Sequence, residues 1–192
     1  YVRTDGSDNN DGLANTAARA FLTIQGALDR LSTFPRDNNK PSAGFSAKVM
    51  LADGTYAETV KLRSMSAFER VRIIGNESTP SNVVIAGVTD AISGTVPVDT
   101  PYSIESCKLT ATAGSGLRAE AGNRISFTSL VFGACSVAHM QASTGGIIQC
   151  AGSYTYNGNA AYHHYATNGG TIDYGAATIT ATLGANVTFS TA

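Results

Sequence analysis

Apolar and polar positions in the second half of the chain recur as a block. Ala119-Glu-Ala-Gly-Asn-Arg-Ile125 returns as Ala142-Ser-Thr-Gly-Gly-Ile-Ile148 and again as Ala166-Thr-Asn-Gly-Gly-Thr-Ile172, at offsets of 23 and 24 residues. A period of that length, with a glycine turn ahead of a β-branched residue, predicts a stack of similar β-coils. Extending the register aligns Ile104, Ile125, Ile148 and Ile172. It also aligns Ser106, Phe127, Cys150 and Tyr174 two places on. The column between them, Glu105, Ser126, Gln149 and Asp173, is polar throughout. Alternation of this kind sends the first two columns inward and the third outward.

The first half carries the same spacing more faintly. Met50 aligns with Ile73, 23 residues on, and Val83-Val-Ile-Ala-Gly87 reads as a further strand of the same coil. Each coil is then three short strands joined by turns. Residues 48–192 have room for about six coils at the usual solenoid repeat lengths. Ahead of them, Phe21, Ile24, Ala27, Leu28 and Leu31 fall at helical spacing, with Asn15 or Thr16 as the N-cap and Pro35 as the stop. The fold class expected is all-β, a single-stranded parallel β-helix with a short N-terminal capping α-helix. Residues 1–47 form the N-terminal strand, Asx-rich turn and helix, and residues 48–192 form the solenoid body. A linker helix to an upstream domain is the alternative for the α-element.

At 192 residues and 43% hydrophobic content, a core can form without disulfides. No apolar run reaches the 18 or so residues of a membrane span, and the start does not resemble a signal peptide. The chain begins at Tyr1 and ends at Ala192 within a would-be coil, so it is expected to be a segment of something longer. A net charge of −1 implies no general attraction to nucleic acid or anionic membrane. From Ile125 to Ala192 the sole charged residue among 68 is Asp173. So few charges suggest a surface that meets other subunits, or one that faces a neutral glycan. Cys107, Cys135 and Cys150 share no column, with Cys107 aligned to Thr128 and Cys135 to Gly158, so three free thiols and folding in a reducing cytosol are expected.

Tyr1-Val-Arg-Thr-Asp-Gly-Ser-Asp-Asn-Asn-Asp-Gly-Leu13, then Phe21-Leu-Thr-Ile-Gln-Gly-Ala-Leu28, then Val49-Met-Leu-Ala-Asp-Gly-Thr-Tyr-Ala-Glu58 and Val71-Arg-Ile-Ile-Gly75, resemble the opening of right-handed parallel β-helix proteins of the pectin-lyase-like class, above all phage tail spikes and tail fibres. The motifs cover roughly residues 1–90, and the repeat carries the rest. The resemblance implies a right-handed, homotrimeric, virion-attached β-helix in the tail, made in the host cytoplasm and acting outside the cell. Its partners would be other virion tail proteins and host surface polysaccharide, which it would either bind or cut. The fold alone does not choose between these, since it carries lyases, hydrolases, adhesins and inert shafts.

Cleavage of a glycosidic bond needs two carboxyl groups about 5 to 9.5 Å apart. Glu105 and Asp173 share a column but stand three coils apart, about 14 Å, and Glu120 sits above Ser143 and Thr167. The best acidic pairing available is Asp53, aligned with Asn76, and Glu77 on its diagonal; the competing reading is that Asp53-Gly54 is an ordinary Asp-Gly turn. Arg63, Arg70 and Arg72 beside Lys61 read as a solvated basic strip. His139 aligns with His163, with His164 next to it, which makes His139 and His163 metal candidates short of the usual four ligands; a polar ladder or an intersubunit contact is the competing reading. Asp5-Gly-Ser-Asp8-Asn-Asn-Asp11-Gly12 resembles a calcium loop without its closing acid, and an Asx-rich turn explains it equally. No cofactor is expected.

Five of the eight tyrosines, Tyr154, Tyr156, Tyr162, Tyr165 and Tyr174, lie within 21 residues. Tyr156, Tyr162 and His164 are the candidates for stacking on a glycan, with core or interface packing as the alternative. By register Tyr174 points inward, Tyr154 replaces Val131 and Tyr165 aligns with Phe189. The functional expectation is a structural, receptor-binding fibre or spike segment that attaches the virion to host-cell glycan. The alternatives are a polysaccharide depolymerase, hydrolase or lyase, and a bacterial surface adhesin. The missing acidic pair leans against an enzyme.

Overall fold

A computed structural model describes residues 1–34, 45–65, 67–175, 179–181 and 189–191. After α1 (Ile24–Ser32), the chain runs through six successive sets of three strands. They are β1 (Ser46–Met50), β2 (Gly54–Tyr56) and β3 (Val60–Lys61); β4 (Arg70–Ile74), β5 (Val83–Gly87) and β6 (Ile92–Gly94); β7 (Tyr102–Glu105), β8 (Lys108–Ala111) and β9 (Leu117–Ala119). The second half continues with β10 (Arg124–Thr128), β11 (Leu130–Cys135) and β12 (Ala138–Ala142); β13 (Ile147–Cys150), β14 (Tyr154–Tyr156) and β15 (Tyr162–Ala166); β16 (Thr171–Asp173), β17 (Ile179–Ala181) and β18 (Phe189–Thr191). The first strand of every set pairs with the first strand of the next, and likewise for the second and third. The result is three parallel six-stranded sheets wound into a β-solenoid of about 5 turns.

The repeat block is the corner between the third sheet and the first. Ala121 and Gly122, Thr144 and Gly145, and Asn168 and Gly169 all have φ between 49° and 76°. Two successive left-handed residues reverse the chain within one short turn. Glycine at the second position relieves the steric cost that a Cβ brings there. The third position varies for a different reason. A Cβ on Gly146 would stand 2.1 Å from the Ala119 carbonyl oxygen, whereas the larger Asn123 is accommodated in its turn and fully buried. Its amide nitrogen donates to the carbonyls of Gly94, Val96 and Glu120 at 2.6 to 2.8 Å, and its Oδ1 accepts from the Val98 N–H at 2.9 Å.

Inside, one hydrophobic cluster extends from Val2 to Tyr156 and includes Ile24, Ala27 and Leu28 of the helix. Val2 bridges Leu51 on one side and Phe21 on the other, which extends the strand stacking toward the N-terminus. The N-cap is Thr23, whose hydroxyl accepts from the Gly26 N–H at 2.9 Å, and not Asn15 or Thr16; Thr16 instead closes a turn with Arg19 and Ala20. The helix can start at Ile24 because Glu58, from the loop between β2 and β3, accepts the Ile24 and Gln25 N–H groups at 2.8 and 2.9 Å. Asp8 accepts from the Leu22 and Thr23 N–H groups and the Thr23 hydroxyl, Asp5 pairs with Arg3, and Asp11 pairs with Arg19. The Asx-rich segment is thus a hydrogen-bonded turn that sets the helix. Pro35 lies outside the described residues, among which no helix is long and apolar enough to cross a membrane.

Register differs from the sequence reading in defined places. In the first sheet the column is Tyr102, Ile125, Ile148 and Ile172, and Ile104 joins Phe127 and Cys150. The error is two residues, a slip that keeps every side chain on its own face and is therefore invisible to alternation. Val49, not Met50, pairs with Ile73, a slip of one that puts Val49 inside. Cys107 lies beside Leu130 rather than Thr128, since Lys108 pairs with Val131, and the Cys135 N–H donates to Asn159 rather than meeting Gly158. All three cysteines are free and buried.

Candidate functional site

On the third sheet, Leu117, Ala119, Met140 and Ala142 pack inward, so the residues between them face out. Pairing aligns Lys61, Ser93, Arg118, Gln141 and Tyr165 in one column along the solenoid axis. Neighbours stand about 4.8 Å apart, the ordinary spacing of paired strands. Tyr165 is half-buried and its ring stacks on Tyr162 with centroids 4.9 Å apart at 23°. Beside this column lies Glu120, with the Ser143 hydroxyl donating to its Oε1 at 2.8 Å.

The polar groups of this face are held by one another. Arg118 donates from Nε and Nη2 to Glu120 Oε1 at 3.1 and 2.8 Å, and its Nη1 stands 3.6 Å from Asp90 Oδ2. Asp90 Oδ1 accepts from the Ser115 N–H at 2.8 Å, and the Ser115 hydroxyl donates to Gln141 Oε1 at 2.9 Å. Burial raises the Glu120 carboxyl, but the hydrogen bonds from Arg118 and Ser143 outweigh it and leave the group below its ordinary value. Such a network fixes side-chain positions before any ligand arrives.

The acids do not meet as Glu105 and Asp173. Glu105 leaves the Ser126, Gln149 and Asp173 column and lies opposite Thr128 and Ile74. There it is buried, and Arg72 grips it from Nε at 2.8 Å and Nη2 at 2.5 Å, which holds its carboxyl below the usual range. Arg63 likewise pairs with Asp29, so two members of the expected basic strip are ion-paired. Asp53 accepts the side-chain amides of Asn76 and Asn82 at 2.8 and 2.9 Å, an amide ladder that lowers its pKa. Glu77 is exposed.

The histidines are interior. His139 is fully buried, His163 and His164 nearly so, and His139 does stand opposite His163. His139 Nε2 is 3.0 Å from the Gly133 carbonyl, which can only accept, so Nε2 carries the proton. Nδ1 of His139 is then the acceptor for Nδ1–H of His163 at 2.8 Å. That separation is hydrogen-bond length, shorter than the roughly 3.3 Å between two ligand nitrogens on a tetrahedral zinc with bonds of 2.0 to 2.1 Å. Among the described residues no three His, Cys, Asp or Glu side chains gather as a metal site would require. Burial depresses His139 and His164 to about 4 and lowers His163.

Tyr156 is 3% exposed, stacks on His139 with centroids 4.7 Å apart, and hydrogen-bonds His164. Burial pushes its hydroxyl far up and that of Tyr154 to about 12. Tyr156 and His164 therefore belong to the core and present no face to a sugar. Of the three glycan candidates, Tyr162 is the one at the surface. Tyr154 pairs with Leu130 and not Val131, and Tyr165 with Ser190 and not Phe189. Each one-residue slip reverses a face, so Tyr165, aligned with Phe189 in the sequence and read for core or interface stacking, lies instead on the outward column. Arg118 and its contact with Asp90 were also missed, because Asp90 sits in a connection outside the repeat.

A scan against protein-family models and searches of the curated proteins and the solved structures give no match to this chain. The parallel β-solenoid fold by itself assigns no activity.

Proposed function

We propose that this chain is a β-solenoid segment of a phage tail fibre or tail spike, structural and receptor-binding, that attaches the virion to glycan on the host cell surface. On this reading it acts as a homotrimer with other tail proteins, outside the cell. The observation that carries it is the outer face of the third sheet, where a stacked tyrosine pair adjoins a column of hydrogen-bonding side chains locked in place by one another. Aromatic rings with fixed polar neighbours are suited to the alternating apolar and hydroxyl faces of a sugar. The opening motifs and the nearly charge-free second half support the same reading.

A depolymerase is favoured by one feature, since Asp90 and Glu120 both reach the Arg118 guanidinium. Against it, a general acid needs a carboxyl pushed upward, and that of Glu120 is pulled down. Light scattering on the purified chain, with sedimentation against host surface polysaccharide, tests the proposal. A trimer that retains polysaccharide supports it, and a monomer that retains none contradicts it.

A further inference from the structure

We infer that the outer face of the third sheet binds a neutral saccharide chain laid along the solenoid axis, from Tyr165 across Gln141 to Arg118. This rests on the glycan-attachment reading and adds the location, the direction and the charge class of the ligand. Two strand spacings separate Tyr165 from Arg118, about 10 Å, which matches two hexose units. Tyr165, backed by Tyr162, offers a ring held in place for one sugar. The next sugar meets Gln141, whose Oε1 is engaged by Ser115 and whose amide nitrogen is thereby turned away from that bond as a donor. Glu120, whose Oε1 takes the Arg118 and Ser143 donors, offers Oε2 as an acceptor beside it.

Charge selects the ligand class. Arg118 is the one cation in this part of the column, and two carboxylates, Asp90 and Glu120, already share it, so the cluster carries net −1. Across Gln141 and Tyr165 the column is uncharged, and the sole formal charge from Ile125 onward is Asp173. A uronate or other acidic sugar would meet like charge at one end and no counter-ion at the other. Neutral hexose or N-acetylhexosamine units incur no such repulsion.

The test is calorimetric titration of the whole chain with neutral hexasaccharides (maltohexaose, chitohexaose, mannohexaose) and with hexagalacturonate at low salt. Neutral binding at least tenfold tighter than hexagalacturonate is expected. Tyr165→Ala and Gln141→Ala should each weaken it tenfold or more, while Tyr165→Phe keeps it. If Tyr165→Ala shifts the melting temperature, Gln141→Ala and Tyr165→Phe still decide. Equal or tighter binding of hexagalacturonate overturns the inference, as does neutral binding untouched by these variants, which leaves glycan attachment standing at another face. Failure of every saccharide, together with failure to retain host polysaccharide, overturns both.

Discussion

His139 and His163 face each other across β12 and β15 with their Nδ1 atoms 2.8 Å apart, inside the protein and against the ring of Tyr156. With its proton on Nε2, His139 keeps Nδ1 free to accept the Nδ1–H of His163, and that bond needs a neutral His139. A proton added to His139 Nδ1 would set two N–H groups against each other.

Stability should therefore depend on pH with a definite sign. In the unfolded chain His139 and His164 titrate near 6.5, whereas burial holds both at about 4 in the folded one. The unfolded state binds more protons in that interval, so stability is full above about pH 6.5 and falls as pH drops toward 4. Each group contributes on the order of 3 kcal/mol over the whole interval. Urea unfolding between pH 7.5 and 4 checks this, and His139→Phe should flatten the slope. A wild-type midpoint unchanged from pH 7 to 4.5 would contradict it.

The glycine corners separate conformational from steric cost. Gly122 has φ +76° and nothing within 4 Å of its would-be Cβ, so Gly122→Ala should cost about 1–2 kcal/mol, the left-handed penalty alone. Gly146→Ala drives a methyl to 2.1 Å from a backbone oxygen and should cost clearly more. Thermal unfolding of the two variants side by side gives the ordering, and equal losses would contradict the account.

Arg72 and Glu105 should behave as a unit. Arg72→Met strands a nearly buried carboxylate and should destabilise by about 1–3 kcal/mol, the cost of an unpaired buried group, discounted for the partial exposure of the arginine. Adding Glu105→Leu should recover most of that loss. Because Arg72 depresses the Glu105 pKa, the wild-type advantage is present above its unfolded value, near 4.5, and disappears as pH falls below it. A double-mutant cycle in urea at pH 7 measures the coupling.

The thiols should be silent in the folded state. Burial raises Cys107 and Cys135 to about 12 and raises Cys150 as well. Native protein at pH 8 should react negligibly with a disulfide reagent, and unfolded protein should release three equivalents, one for each cysteine. Fast labelling of any of them before unfolding would contradict their placement.

The Gly-rich corners were legible because they impose a backbone conformation that few residues accept, and so mark the turn at the same place in three successive coils. The His139–His163 pairing was legible for the same reason, being counted from those corners. What alternation could not fix was a two-residue slip such as Ile104 against Ile125, since both registers bury the same face. The Asp90–Arg118–Glu120 cluster was not legible because Asp90 lies in a connection of irregular length, and only the β6–β9 pairing brings it to Arg118. Thr23 was not legible as the N-cap because the apolar spacing begins at Phe21, which lies ahead of the helix and bridges Val2.

Attachment without cleavage is tested most directly by incubating the purified chain with host surface polysaccharide and measuring, in one sample, retained polysaccharide and new reducing ends. Retention with no new reducing ends is the result predicted here. New reducing ends that vanish in Glu120→Gln or Asp90→Asn would contradict it and make the Arg118 cluster a hydrolytic centre.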